Sequence, residues 1–249
     1  MIHLKTITFF TLLAFSSHAQ LLRDHDVDES TIKPWIEDTI ANYSDRYIFQ
    51  PNDGNYLIII VDDTNVAAQI HHPGHWTQGG YALELGEADS SEVATHAEYI
   101  PLTGVKISEG KFISDQYSGE FITFISAGVV YKGIKVYDSW SIWPGYKYEI
   151  GVKRNEDLLK IYKGDYPGAS LKILDSLYLT QYSKRELKLM RNEIYARYKY
   201  KFKPNGEVEN YFLQQEWYTS TCRYKEVEHM FTWIEWRNIE LIKKIEQIK

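Results

Sequence analysis

Three groups of side chains have the types and spacing for chemistry. The first is His71-His72-Pro73-Gly74-His75. Imidazole nitrogens bind zinc, copper and nickel well. A structural zinc takes four ligands, and a catalytic one takes three plus water. In an extended chain His71 and His72 point to opposite faces. The metal reading therefore rests on His71 and His75, with His96, Asp62 or Asp63 to complete the set. The competing reading is a solvated polar loop after a strand. The second group is cationic. Lys184, Lys188 and Arg191 fall at i, i+4 and i+7 and line one helical face, and Arg197, Lys199, Lys201 and Lys203 extend it. Such a face docks an anionic partner, such as a lipopolysaccharide phosphate or a cell-wall carboxylate. It is equally a solvated face, or a face that packs on an acidic part of the same chain. The third group is Arg191, Asn192, Glu193 and Arg197 on neighbouring turns, with Asn238 further on. They form a ligand-binding or catalytic constellation, or they cap helices and pair with one another.

No nucleophile elbow, phosphate loop, dinucleotide fingerprint or HExxH helix is present in the sequence, and no pattern calls for a cofactor. A glycosidase-like pair of carboxylates needs no local motif. With 23 acidic residues between 20 and 169, the sequence does not single out two.

The elements that must position these groups follow from periodicity. Residues 1–19 have the layout of a secretory signal: Lys5, an apolar run to Phe15, then Ser17-His18-Ala19 before a cut near Ala19. The run is too short to span a bilayer, and no later stretch does so. Residues 20–45 read as an acidic leader and a short helix, capped by Ser30 or Thr31, with Pro34 in its first turn and Ile32, Ile36, Ile40 and Tyr43 on one face. Residues 46–165 alternate as short strands. Asn52-Asp53-Gly54, Glu109-Gly110 and Ala127-Gly128 are the hairpin turns, and further strands are expected at 66–71, 81–85 and 146–150. This is an antiparallel β meander, either a barrel or a sandwich. Gly164, Pro167 and Gly168 break the pattern. Residues 170–249 then turn helical, so the fold class is α+β with a small all-α C-terminal domain. Ser183 and Glu186 form a capping box. Leu187, Met190, Ile194 and Tyr198 make one buried stripe, Val208 to Leu213 a short helix, and Ile234, Leu241, Ile245 and Ile248 a last one.

The run Leu187 to Arg197 contains Arg191-Asn192-Glu193-Ile194-Tyr195-Ala196-Arg197, and Phe202, Tyr211-Phe212, Trp217-Tyr218, Glu235 and Asn238-Ile239 follow it. Together these resemble the YARHG domain family over residues 174–246. Tyr198 and Lys199 stand where the family name has His and Gly. The resemblance implies a periplasmic or extracellular setting, often beside peptidases or in lipoproteins, and implies no particular reaction.

Charge divides along the same line. Residues 20–169 carry a net charge of −11 and residues 170–249 of +4, within a whole-chain value of −6. An acidic body argues against nucleic acid as the partner. The single cysteine, Cys222, cannot form an internal disulfide. The 20 tyrosines suit half-buried β surfaces, or stacking on a ligand. The expectation is an exported, non-catalytic binding or interaction module for an anionic envelope component or an envelope protein. The alternative is a wall- or polysaccharide-acting hydrolase using dispersed carboxylates or a histidine-bound metal.

Overall fold

The structure, a computed structural model, describes residues 27–50, 54–73, 97–140, 147–219 and 227–249. The signal-like segment, His75, His96, residues 81–85 and Cys222 lie outside them. Ten strands follow in chain order: β1 (Lys33–Pro34), β2 (Asp45–Gln50), β3 (Asn55–Asp62), β4 (Asn65–Pro73), β5 (Ala97–Leu102), β6 (Lys106–Ser108), β7 (Lys111–Ile113), β8 (Ser118–Ser126), β9 (Val129–Tyr137) and β10 (Tyr148–Lys153). All pair antiparallel in the order β5-β4-β3-β2-β10-β9-β8-β7-β6, with β1 on β8. Two hairpins close through residues that both have positive φ: Glu109 at 51° with Gly110 at 72°, and Ala127 at 48° with Gly128 at 78°. That is what a two-residue primed turn demands. β5 is absent from the sequence expectation. It contains Pro101, which lacks a donor, and it sits at the sheet edge where that is tolerated.

Of the two expected forms the barrel is the nearer. The sheet curls into a half-barrel whose concave face is packed with Tyr47, Phe49, Leu57, Ile59, Ala68, Ile70, Phe121 and Ile134. Trp35 and Tyr43 plug this core from the segment before β2. Tyr43 stacks on Phe121 at 4.0 Å and meets Trp35 edge-on at 4.9 Å. The short helix expected over residues 32–43 does not form. That segment holds β1 and 3-10 turns at Glu29–Thr31 and Ile40–Tyr43. The Trp35 N–H bonds Phe121 O at 2.9 Å, and Ile36 is 65% exposed. Burying the Trp35 ring in the sheet outweighs a weak helical propensity interrupted by proline.

Six α-helices follow among the described residues: α1 (Leu158–Ile161), α2 (Gly168–Leu171), α3 (Ser176–Thr180), α4 (Lys184–Arg197), α5 (Glu207–Phe212) and α6 (Trp233–Ile248). Capping boxes start α4, through Ser183 and Glu186, and α6, through Thr232 and Glu235. The expected stripe Leu187, Met190, Ile194 and Tyr198 is buried against Ile239, Ile242 and Ile245. Ile234 is buried, but Ile248 is exposed at the chain end. Lys199 ends α4 with φ 60°, a left-handed conformation that costs a non-glycine residue about 1 kcal/mol.

The helical part sits on the convex face of the sheet. Ile58 and Ile60 of β3 and Ala67 of β4 pack against Leu171 and Ile234, flanked by Leu158, Tyr162 and Ile173. Trp233 Nε1 donates to Val66 O at 2.9 Å, and the Ile173 N–H donates to Asp62 Oδ2 at 2.7 Å. The ion pairs among the described residues stay within each part, as in Arg46–Glu156, Lys153–Asp45, Lys188–Glu207 and Arg191–Glu246. The junction is therefore apolar and hydrogen-bonded, not a meeting of opposite charges. Because Ile234 has no exposed surface and belongs to the shared core, Ile234→Ala is expected to destabilise the protein by about 3 kcal/mol, with sheet and helices still unfolding together. Calorimetry checks this; two separate transitions in the wild-type protein would refute the shared core.

Candidate functional site

The family motif on α4 is spent on holding the chain. Glu193 is 1% exposed. Its carboxylate accepts the backbone N–H groups of Asp165 at 2.8 Å and Tyr166 at 2.7 Å, and it pairs with Arg197. Gly164 takes φ 116°, and a Cβ there would overlap the Glu193 carboxylate. Burial pushes the Glu193 carboxyl up, against the pull of Arg197 and the two amides. Arg197 also donates from Nε to Lys163 O at 3.0 Å and from Nη1 to Ser170 Oγ at 2.8 Å. The pair thus latches the loop between α1 and α2 onto α4. Asn238 does the same from α6: its Oδ1 accepts the Leu174 N–H at 3.0 Å, and its Nδ2 donates to Ala169 O and Lys172 O. Asn192 bonds Lys188 O within its own helix. Ala196 packs with Phe202, Phe212 and Tyr218, beside Trp217. Tyr218 donates to Tyr200 O at 2.7 Å, and the Tyr195 ring meets Phe231 edge-on at 4.9 Å.

The cationic stripe is only partly open. Arg191 makes a two-pronged pair with Glu246 of α6 at 2.8 and 3.2 Å. Lys188 and Arg185 share Glu207 of α5 at 2.9 Å each. Lys184 stays exposed, as do Lys199, Lys201 and Lys203. The stripe does not face the sheet, and carboxylates of its own helical part neutralise its centre.

His71 lies among rings on the sheet, while His75 and His96, which the metal reading also needs, lie outside the described residues. Its Nδ1 lies 3.0 Å from Gly54 O. Its ring stacks flat on Tyr56 at 4.4 Å and meets Tyr99 edge-on at 4.8 Å. Burial, first of all, lowers its pKa, so the neutral ring donates to the Gly54 carbonyl. Among the described residues no group of three or more His, Cys, Asp and Glu is arranged to hold a metal. What His71 does is bridge a row of rings across three strands. The registers Tyr56↔His71 and His71↔Tyr99 put all three side chains on the convex face, the face that receives the helices.

Next along this face is Gln69, buried although polar. Its Nε2 donates to the Tyr198 hydroxyl at 2.7 Å and to Met230 O at 2.5 Å. Tyr198 in turn donates to Glu235 Oε2 at 2.7 Å, which also accepts the Thr232 N–H at 2.9 Å. Burial pushes the Glu235 carboxyl up, against the hydrogen bonds of Ser170 and Tyr198. Beside this chain the seam leaves a pocket of about 200 Å³. Tyr56 and Tyr99 line it from the sheet, Tyr162, Lys163, Arg197 and Trp217 from the helical part. Burial raises the phenol pKa of Tyr56 and of Tyr162, so both stay protonated. Among the described residues neither phenol makes a hydrogen bond, and the buried indole N–H of Trp217 has no partner. Of the residues expected from sequence, Arg197 and Trp217 reach this pocket. Tyr56, Gln69, Tyr99 and Tyr162 were not foreseen. The signal that points to them is the unbroken apolar run from Tyr56 to Val61, the pattern of a strand covered on both faces.

Residues 164–247 match the YARHG domain model, a periplasmic or extracellular domain family, so the C-terminal region resembles that family. The match begins at Gly164, the residue under the Glu193 latch. No curated protein and no solved structure matches the chain.

Two outcomes follow from the latch and the buried chain. Gly164→Ala is expected to cost about 3 kcal/mol through strain at positive φ and displacement of Glu193, read as a lower melting temperature. A carboxyl raised in the folded state adds stability at acid pH and loses it as pH rises through the folded value. Wild type should therefore lose stability relative to Glu235→Gln as pH rises from the ordinary value of 4.5 toward neutrality. Melting curves across this range check it, and a pH-independent difference would mean that Glu235 carries no such shift.

Proposed function

We propose that this YARHG-domain protein is a non-catalytic binding module of the cell envelope, exported by residues 1–19 and cut near Ala19, with the seam pocket as its contact site. The observation that carries this reading is the buried indole N–H of Trp217, unpaired among the described residues, beside the Tyr56 and Tyr162 hydroxyls that line the same pocket. Leaving a buried donor without a partner costs about 1–3 kcal/mol, and native interiors pair the large majority of such groups. Such a donor in a pocket wall suits a ligand that accepts from it. The YARHG match supports the envelope setting, and among the described residues no helix is long and apolar enough to cross a membrane.

The lining is aromatic, amide and cationic. The neighbouring carboxylates, Glu193 and Glu235, are committed to the loop latch and to the α6 cap, which favours binding over hydrolysis. Exposed Lys184 with Lys199, Lys201 and Lys203 supports an anionic envelope component as partner. Lys188 and Arg191 contribute mainly by shaping the domain, whereas Arg197 also lines the pocket. Histidine-bound metal has little support, since the His71 ring is engaged by Gly54, Tyr56 and Tyr99.

Immobilised mature protein should retain material from a purified envelope fraction at physiological salt. Trp217→Ala should cut retention about tenfold, the effect of losing about 1.4 kcal/mol at a contact. No retention by the intact protein would end this reading.

A further inference from the structure

We propose that the seam pocket takes a single pyranose ring carrying one carboxylate, an acidic sugar unit of an envelope polysaccharide; this rests on the binding reading above. Size sets the first limit. At about 200 Å³ the pocket is below the ~300 Å³ at which drug-sized ligands begin to fit, so it admits one ring and not a chain. Chemistry sets the second. Tyr56, Tyr99, Tyr162 and Trp217 offer ring faces for the C–H surface of a sugar. The Tyr56 and Tyr162 hydroxyls, free of hydrogen bonds among the described residues, both donate and accept. A hydroxyl-rich ligand satisfies them, whereas a plain hydrocarbon ring would leave them buried and unpaired.

Charge sets the third. Arg197 has five N–H groups, of which Lys163 O, Ser170 and Glu193 take three. The remaining two belong to a guanidinium in the pocket wall. Lys163 lines the pocket and forms no ion pair among the described residues. No carboxylate is among the lining residues. Glu193 offsets the Arg197 charge, so Lys163 is the lining cation that favours a ligand with one negative group over a neutral one.

Isothermal titration of the full mature protein with glucuronic acid and with N-acetylmuramic acid tests this, with glucose, N-acetylglucosamine and glucose 6-phosphate alongside. A Kd of about 1 mM is expected for at least one carboxylated ring, weakening as salt rises. The neutral sugars should bind about tenfold more weakly. Tyr56→Phe and Tyr162→Phe should each weaken binding about fivefold without lowering the melting temperature, because those hydroxyls hold no partner among the described residues. A purely structural role would show the reverse. Lys163→Gln should lower affinity for the acidic sugar and leave glucose unchanged. Four results would overturn the assignment: no saturable binding of either acid, equal binding of glucose, tighter binding of glucose 6-phosphate, or unchanged affinity in both Phe variants. If neither acid binds while the envelope fraction is still retained, only the sugar assignment fails. If retention is also lost, the binding reading fails with it. Which of the two acids binds separates a uronate polysaccharide from wall glycan as the source.

Discussion

Gln69 carries a neutral amide into an otherwise apolar face, and the relation of the sheet to the helices is built around where that amide finds partners. One N–H meets the Tyr198 hydroxyl and the other meets Met230 O. Tyr198 passes the chain on to Glu235, which caps α6. Apolar contacts such as Ile58 and Ile60 on Ile234 tolerate some sliding, because dispersion is not directional. A buried amide does not, because any shift leaves its donors unpaired in a medium without water. The hydrophobic seam supplies attraction, and this short polar chain fixes the register at which the two parts meet.

The same logic explains why the motif that marks the domain is engaged with the chain's own backbone. Glu193, Arg197 and Asn238 each satisfy backbone groups of the Lys163–Leu174 segment, which is irregular and would otherwise bury unpaired N–H and C=O groups. Side chains stand in for the hydrogen bonds that a longer helix would have provided. In doing so they hold Tyr162 and Lys163 at the seam, so the scaffold shapes the pocket without supplying most of its walls. Tyr198 is notable here. The position carries His in the family name, yet in this chain it carries a phenol whose hydroxyl spans from Gln69 to Glu235. The adjoining Lys199 accepts a left-handed conformation that glycine would adopt without strain.

Local features were legible in the residues. Glu109-Gly110 and Ala127-Gly128 form turns because the second residue of each is free to take positive φ, and Ser183 with Glu186 starts a helix because both partners lie within one turn. The stripe from Leu187 to Tyr198 is buried as its period requires. The failures share a cause. The segment from Ile32 to Tyr43 has a helical spacing of apolar residues, but its rings have a larger contact available in the sheet, with Phe121 more than 75 positions away. The ring contacts of His71 were likewise not legible, because the strand registers that set it between Tyr56 and Tyr99 pair distant segments.

By itself the sequence determined what depends on neighbours: the α+β class, the antiparallel hairpins, the capped helices, the YARHG signature and the division of charge. Tertiary structure alone decided that the sheet curls into a half-barrel filled by its own core, that its convex face is covered too, and that Gln69 meets Tyr198 across 129 positions of chain. It also decided that the cationic stripe is met by Glu207 and Glu246 and not by the acidic sheet. The physical reason is range. Turn and cap energies act over a few residues and are encoded where they act, whereas the partner of a buried amide or ring is set by how whole faces pack.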